Sequence, residues 1–215
     1  MARLINNIHG PFRGKLSNVT GTFWKGISVL RTIPENYNDA NTDIQQAHRS
    51  KVKLLTSYLS QFKHLIKIGF TAADPKKSAF NNALKHNFAA IEGTFPDYRI
   101  NIEKLKLSIG KLENIWDPTL QRIEPNTISL TWADNSNNET AFATDQLHVC
   151  VISTDPTDVH INTTPAPRNA TTFLITLPTS WSNRNVYVIG FMVKEKFAGS
   201  KSKKDVSDSQ VWKVG

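Results

Sequence analysis

The residue types able to carry chemistry in this sequence do not stand at the spacings that catalysis or metal binding requires. Six histidines are scattered along the chain, and His48 and His64 are too far apart on one predicted helix to share a metal ion. The single cysteine, Cys150, lies in an apolar run, where a small buried side chain is expected. No phosphate-binding glycine loop, zinc-protease motif or serine-hydrolase motif occurs. We therefore expect no catalytic residue, no metal site, no cofactor and no enzymatic activity.

A polar segment between Asp134 and Asp145 has part of the pattern of a calcium-binding loop. The two carboxylates stand where the first and last ligands of such a loop would be. Glu139 occupies the position at which that loop needs glycine, and the last ligand is normally Glu rather than Asp. An ordinary polar loop is the favoured interpretation.

Cations and aromatic side chains alternate in the first part of the chain. Aromatic rings can stack on single-stranded bases while neighbouring cations hold the phosphates. The same residues can instead form the core and rim of a β-hairpin that docks on its own domain or on a neighbouring subunit. The basic face of the first predicted helix allows both interpretations as well. The residues expected to contact a partner or a polyanion are Arg13, Lys15, Trp24, Lys25, Arg31, Arg49, Lys51 and Lys53.

The formal net charge of the chain is +8, and the excess is confined to its first part. Residues 1–120 hold 17 Lys or Arg and 9 Asp or Glu, whereas residues 121–215 hold 9 of each kind. A one-sided basic field attracts polyanions such as nucleic acid or acidic protein surfaces. A basic surface that only aids solubility is the alternative.

Cysteine content and hydropathy indicate the compartment in which the protein works. One cysteine cannot form an intramolecular disulfide, and a chain of 215 residues buries enough surface to need none. No apolar segment follows the first residues, which argues against a secretory signal peptide. The longest apolar run, at residues 186–193, is too short to cross a bilayer. We expect a cytoplasmic or virion protein without a membrane partner.

The first part of the chain predicts a β-hairpin followed by a helix. Short β-type runs at residues 18–24 and 27–33 indicate a hairpin or a meander. Thr42 and Gln45 then form a capping-box pattern, in which each side chain bonds a free backbone N–H of the other. Apolar residues at spacings of three and four follow, and they predict one helix that ends at Gly69.

A second helix is predicted at residues 79–92, with Ser78 as its N-cap and Gly93 just past its end. The two helices are expected to form a helical hairpin. At residues 100–109 the apolar residues alternate with polar ones, and the phase of the alternation changes by one residue. A β-bulge would produce such a change.

The rest of the chain predicts six or seven short strands separated by polar, turn-forming segments. Ile128, Leu130 and Trp132, for example, alternate with polar residues. This pattern favours an antiparallel β-sandwich of the immunoglobulin or fibronectin type III kind. We therefore predict an α+β fold, with a basic β-hairpin and two-helix region at residues 1–96 and a β-sandwich domain at residues 97–215.

Several short motifs spread over nearly the whole chain resemble those of a family of similar length that occurs mainly in Bacteroidetes and has no assigned function. The motifs are Gly10–Lys15, Trp24–Ile27, Thr42–Arg49, Ser108–Gly110, Trp132–Ser136, Leu177–Trp181, Val186–Phe191 and Val206–Ser209. Thr42, Gln45 and Arg49, after a glycine-rich β segment, are also similar to the opening of phage-encoded structural proteins. There an Asn-Pro usually precedes them, whereas this chain has Asp39 and Ala40.

The resemblance implies no catalytic residue, and it implies a component of a particle or assembly. We therefore expect a non-enzymatic structural protein of a phage or phage-derived particle, which works as an oligomer through contacts with copies of itself or with other particle proteins. The alternative is a sequence-tolerant cytoplasmic nucleic-acid-binding protein that uses the basic N-terminal region.

Overall fold

A computed structural model describes residues 3–4, 12–24, 26–36, 39–71, 77–136, 140–154, 158–162, 164–198 and 201–214. The chain divides into two compact units, residues 1–45 and residues 46–215. The predicted boundary between residues 96 and 97 instead falls inside the second unit, in the turn of a hairpin at residues 91–100. Lys25 lies outside the described residues.

The first unit is an antiparallel meander of four strands in the order β1-β2-β3-β4. The strands are β1 (Arg3–Leu4), β2 (Phe12–Leu16), β3 (Val19–Trp24) and β4 (Ile27–Thr32). The hairpin expected at residues 18–33 is present as β3 and β4, which are joined by a two-residue connection. Gly26 in this connection has φ +84°, a backbone conformation that tight hairpin turns require.

Three helices follow the meander: α1 (Asp43–Ser60), α2 (Lys63–Gly69) and α3 (Ala79–Asn87). The predicted capping box starts α1, since the Thr42 N–H donates to Gln45 Oε1 (3.2 Å) and the Gln45 N–H donates to Thr42 Oγ1 (3.4 Å). Ser78 caps α3 as predicted, because its Oγ accepts the Asn81 N–H at 3.1 Å. Both caps are local contacts over three residues.

The single helix predicted up to Gly69 is wrong, because the chain turns between α1 and α2. The N–H groups of Gln61 and Phe62 donate to carbonyl oxygens three residues earlier, at 3.3 and 3.1 Å, rather than four. This tighter 3₁₀ geometry ends α1, while Phe62 itself stays fully buried. A continuous apolar stripe therefore spans two helices.

The predicted end of the second helix at Gly93 is also wrong. After α3 and a 3₁₀ turn at residues 88–90 the chain forms an antiparallel hairpin of β5 (Ile91–Thr94) and β6 (Asp97–Ile100). Gly93 has φ +95° within β5, where a Cβ atom would lie 2.4 Å from the Asp97 carbonyl oxygen. The positive φ of Gly93 therefore occurs within a strand and not at the end of a helix.

A 3₁₀ turn, not a β-bulge, changes the phase of the apolar residues after β6. The turn spans Ile102–Lys104, and the Asn101 side chain caps it by accepting the Glu103 N–H at 3.0 Å. Leu105 and Leu107 follow the turn outside any strand and are buried in the core. The alternation of apolar and polar residues therefore marks burial in a segment that forms no strand.

Two antiparallel sheets make up the rest of the second unit. One has three strands in the order β12-β8-β7, and the other is built on β10-β9-β13-β14, with β11 also paired to β9 and β15 to β13. The strands are β7 (Trp116–Glu124), β8 (Thr127–Ala133), β9 (Gln146–Ser153), β10 (Val159–Ile161), β11 (Ala166–Pro167), β12 (Thr172–Thr176), β13 (Val186–Ala198), β14 (Lys201–Val206) and β15 (Gln210–Val214).

The larger sheet is buried on both faces by residues that alternate along β9 and β13. Val149, Val151 and Val188 pack with residues of β8 and β12, such as Leu130, between the two sheets. Residues of opposite phase pack against α1 and α2, and they are Cys150, Ile152, Ile189, Phe191 and Val193. The helices and the strands therefore share a core, which is why no boundary falls near residue 96. The α+β class with antiparallel sheets is confirmed.

Candidate functional site

The meander of the first unit holds almost no core among its described residues. Gly21 is its only buried residue there. Of the eleven exposed large apolar side chains in the described part of the chain, six belong to residues 1–45 and five to the much longer second unit. The six are Leu16, Phe23, Trp24, Ile27, Leu30 and Ile44. We call the strands β2 to β4 with their exposed side chains the N-terminal surface.

One face of the N-terminal surface, which we call the basic face, carries Lys15 and Arg31 together with the apolar side chains of Ile27 and Val29. Lys15 pairs with Thr20 on β3, and Thr20 pairs with Arg31 on β4, so the three side chains form one row across the strands. Alternation along β3 places Trp24 on the same face. A depression of about 640 Å³ lies here, lined partly by Thr20, Trp24 and Arg31. No acidic side chain belongs to this face among the described residues of β2 to β4.

The opposite face is apolar. Leu16 pairs with Val19 on β3, and Leu30 lies opposite Gly21. The Phe12 ring packs over Gly21, where a Cβ atom would lie 2.2 Å from the Phe12 carbonyl oxygen and 2.9 Å from its ring. Only glycine therefore allows this close approach. Leu16 and Leu30 remain 60% and 59% exposed.

The predicted contact residues of the first unit stand close together on its strands. Lys15, Trp24 and Arg31 share the basic face, and Arg13 is exposed on the same strand as Lys15. Gly14, which separates Arg13 from Lys15, has φ +116°, so simple alternation along β2 does not assign Arg13 to a face.

The three predicted cations of α1 belong to the second unit and differ in exposure. Arg49 and Lys53 are one turn apart on the helix and are exposed. Lys51 is half-buried, and its ammonium lies 4.9 Å from the centre of the Tyr98 ring, a cation–π contact. Lys51 therefore makes a contact within the second unit.

A buried ion pair that the sequence did not predict joins the loops around the sandwich. Arg168 and Asp145 are both fully buried, with Nη2 of Arg168 3.1 Å from Oδ2 of Asp145. The guanidinium also donates to Asn135 Oδ1 at 2.8 Å. It further donates to the carbonyl oxygens of Glu113 and Asn114, at 2.7 and 3.1 Å. Because Arg168 lies 23 residues from Asp145, no local spacing could have found it.

The same ion pair engages Asp145, the last residue of the segment that begins at Asp134. The Asp145 Oδ2 atom accepts from Arg168 and from the Phe142 N–H at 2.9 Å, whereas Asp145 Oδ1 is buried without a hydrogen-bond partner among the described residues. The Asp134 side chain accepts the Ser136 N–H at 3.0 Å. Residues 137–139, including Glu139, lie outside the described residues. The contacts are those of a polar loop held to the sandwich.

Two motifs that the resemblance singled out meet in the fold and bind each other. Ser108 Oγ donates to the Ser207 carbonyl oxygen at 2.7 Å, and the Gly110 N–H donates to Asp208 Oδ1 at 3.0 Å. A Cβ atom on Gly110 would lie 1.8 Å from the Val206 carbonyl oxygen. Ser207 Oγ accepts the Met192 N–H at 2.9 Å. These motif residues therefore build the fold at the junction of β14 and β15.

The metal-ligating and nucleophilic side chains of the described residues are scattered or buried. No group of three or more His, Cys, Asp or Glu that could hold a metal ion occurs among them. Burial raises the pKa of the Cys150 thiol far above its usual range, so the nucleophilic thiolate is not accessible. Burial likewise raises the pKa of Tyr58. No helix in the described ranges is long and apolar enough to span a membrane.

These observations define an α+β protein with antiparallel sheets, whose first unit presents an exposed surface that is basic on one side and apolar on the other. Residues 11–204 match a family of unknown function, DUF6266, and the chain belongs to that family. Membership in a family without an assigned function agrees with the expectation from the motifs. Among solved structures, the chain is similar to the solution structure of the fn3 domain of human contactin 1, at 7% identity and a TM-score of 0.32. That match covers 46% of this chain and 79% of the other.

Proposed function

We propose that this protein is a non-enzymatic structural protein that works through protein interfaces, with the N-terminal surface as its docking element. The second unit, with its two core clusters, is the stable body that carries this element. A phage or phage-derived particle is the setting that the N-terminal resemblance implies. The observation that carries the proposal is the concentration of exposed large apolar side chains in the first unit.

Physical chemistry explains why such a unit needs a partner. A sheet with one hydrophobic face must bury that face against another element. Covering one large apolar side chain completely stabilises a protein by about 1.5–3 kcal/mol. Leu16, Phe23, Trp24 and Leu30 are between 43% and 60% exposed, so much of this stabilisation remains available on docking. Exposed apolar patches of this kind mark sites of interaction.

The test compares the full chain with a double variant of the surface, Phe23→Ser with Trp24→Ser. The matched control is Phe142→Ser with Trp116→Ser in the second unit, since Phe142 and Trp116 are 41% and 48% exposed. Light scattering after nuclease treatment gives the mass, and the fluorescence of the dye ANS reports accessible apolar surface. We expect the wild type, as a monomer or a dimer, to bind ANS, or else to form a larger salt-resistant oligomer that covers the surface. Only the surface variant should lose that ANS binding or that larger oligomer. A monomer without ANS binding, or equal effects of both variants, would refute the proposal.

Nucleic-acid binding is the second candidate, and the row of Lys15, Thr20 and Arg31 beside Trp24 supports it. Cations hold phosphates and an aromatic ring stacks on bases in such sites. Fluorescence polarisation with a labelled oligothymidylate tests it at two salt concentrations. Lys15→Glu with Arg31→Glu should abolish binding, and Arg49→Glu with Lys53→Glu shows whether α1 contributes. A flat salt response would count against this function, because phosphate contacts release counterions.

We also propose that the sandwich is of the fibronectin type III kind. The order of the smaller sheet, β12-β8-β7, corresponds to the strands E, B and A of that fold. In the larger sheet, β10, β9, β13 and β15 correspond to C′, C, F and G. An experimental structure of the full chain tests this assignment through its strand order.

A further inference from the structure

The strand β4 is an open edge of the N-terminal sheet. It is last in the order β1-β2-β3-β4, and no other described strand pairs with its outer side. Its ladder with β3 runs without a register shift over all six residues, Ile27–Thr32. The strand contains no proline and no lysine, and Arg31 is its single charge. It is therefore a regular template for a further strand.

In contrast to β4, three edge strands of the second unit have features that hinder pairing with a further strand. β7 contains Pro118 and has two register irregularities. β14 has three lysines in six residues, and β10 is only three residues long. These are the devices by which proteins prevent edge pairing. The edge strand β12 lacks them, as β4 does, and so provides a natural control.

The backbone of β4 determines which residues can bond a new strand. The Ile33 N–H donates to the Asn18 carbonyl oxygen, so Ile33 and Asn18 form a hydrogen-bonded pair next to the ladder of β3 and β4. Bonded and non-bonded pairs alternate in an antiparallel ladder. Ser28, Leu30 and Thr32 consequently direct their N–H and C=O groups away from β3, toward the open edge.

We propose that β4 pairs antiparallel with β4 of a second copy of this chain, about a two-fold axis that passes beside Val29. This inference rests on the proposed function and names its partner. A two-fold axis perpendicular to the sheet keeps the apolar faces of both copies on the same side. Residues that lie opposite each other must therefore point to the same face of the sheet. Val29 then lies opposite Val29 of the second copy. Ser28 and Leu30 exchange hydrogen bonds with Leu30 and Ser28 of that copy.

Charge favours this register over the one centred on Leu30, and a register centred on Ser28 would pair only three residues of each β4. With Val29 at the axis, Arg31 lies opposite Ile27 of the second copy, and the two Arg31 residues are about four residues, or about 13 Å, apart along the strands. That distance exceeds the Debye length of about 8 Å at physiological salt. With Leu30 at the axis, the two arginines are only about two residues, or about 7 Å, apart. The first register therefore avoids most of the repulsion.

Symmetry favours a second copy, because Ser28 and Leu30 stand equally far from Val29 and their outward N–H and C=O groups therefore complement those of an identical strand. Pairing at the edge uses backbone groups and needs no acidic partner, and both basic faces stay open to solvent. The apolar faces of the two copies become neighbours, so Leu30 of each lies beside Ser28 of the other within one continuous apolar surface. Dimerisation thus doubles the N-terminal surface without burying a charge.

Cysteine cross-linking of the full chain tests the pairing directly. Opposed residues of a non-hydrogen-bonded pair have Cα atoms about 4.5 Å apart, which a disulfide can span. The native Cys150 is fully buried and does not compete. We expect Val29→Cys to form a disulfide dimer on mild oxidation. Thr22→Cys is the matched control, because Thr22 pairs with Val29 from within the sheet and would lie three strands from its counterpart.

A charge variant gives an independent readout that does not need oxidation. Leu30 on β4 and Leu174 on β12 are exposed leucines of two open edge strands, at 59% and 54%. Sedimentation of Leu30→Lys and Leu174→Lys measures the dimer Kd of each. We expect Leu30→Lys to raise Kd by at least about tenfold, and Leu174→Lys to leave it unchanged.

The outcomes separate this inference from the proposed function. A monomeric wild type that binds ANS, with no Val29→Cys dimer, overturns the inference and leaves docking on another protein. A monomer without ANS binding overturns both. Equal cross-linking of Thr22→Cys and Val29→Cys indicates random collision and overturns the inference. Faster cross-linking of Leu30→Cys than of Val29→Cys overturns the register. If Leu174→Lys is the only variant that loses the dimer, the dimer forms through β12 and the inference is overturned.

Discussion

Replacement of Asp145 by alanine tests whether the buried Arg168 cluster holds the loops on the sandwich. The Asp145 Oδ2 atom accepts from Nε and Nη2 of Arg168, at 3.3 and 3.1 Å, and from the Phe142 N–H at 2.9 Å. Both side chains of the ion pair are fully buried. Asp145→Ala therefore leaves a guanidinium charge in the interior without its counter-ion.

The magnitude follows from these contacts. Removal of one partner of a buried ion pair costs about 3–5 kcal/mol, because the remaining charge is uncompensated. Arg168 keeps its hydrogen bonds to Asn135 and to two carbonyl oxygens, which places the expected loss at the lower end of this range, about 3 kcal/mol. This is a large share of a total folding free energy of about 5–15 kcal/mol.

Urea unfolding of the full chain measures the loss, and Asp158→Ala is the matched control. Asp158 pairs with Arg184 at 3.3 Å, but both side chains are almost half exposed, at 45% and 46%. An exposed pair contributes only about 0–1 kcal/mol. If Asp145→Ala destabilised the protein no more than Asp158→Ala does, the role assigned to the cluster would be wrong.

Three further predictions concern single residues. Gly110→Ala should destabilise the protein by about 1–3 kcal/mol in urea unfolding, since its Cβ would overlap the Val206 carbonyl oxygen; an unchanged stability would contradict this packing. Cys150 should react with a thiol reagent only after unfolding, and rapid labelling of the native protein would contradict its burial. Hydrogen bonds from Asn101 and Lys104 lower the pKa of Glu92 below its usual value of 4.5, so its contribution to stability is full above that value and is lost as the pH falls through the folded-state pKa. Glu92→Gln should weaken this acid dependence in unfolding measured over pH, whereas an identical pH profile would refute it.

Sequence patterns predict correctly those features whose partners are close along the chain. The capping box of Thr42 and Gln45 and the Ser78 cap each join residues three positions apart. Gly93 shows where such a pattern is ambiguous, because its positive φ suits a strand as well as the end of a helix. Periodicity in the segment after Ile100 reports burial, and it does not distinguish a strand from a 3₁₀ turn with an extended chain.

The candidate site was predictable only in part. The sequence indicates Lys15, Trp24 and Arg31 as contact residues, and the register of β2 to β4 brings them to one face. The sequence did not indicate that the opposite face is apolar and exposed, or that β4 is an open edge. Whether an apolar strand residue such as Leu30 is covered depends on another element, and strand alternation carries no information on that element.

The sequence by itself determined the α+β class, the positions of most elements and the concentration of positive charge in the first part of the chain. Only the tertiary structure decided that α1 and α2 cover one face of the larger sheet, that Arg168 reaches Asp145, and that the described part of the first unit lacks a core. The physical reason is that propensity, capping and periodicity act over a few neighbouring residues. Burial is the sum of contacts between residues far apart in the chain, such as Ser108 and Ser207, and it exists only once the elements have packed.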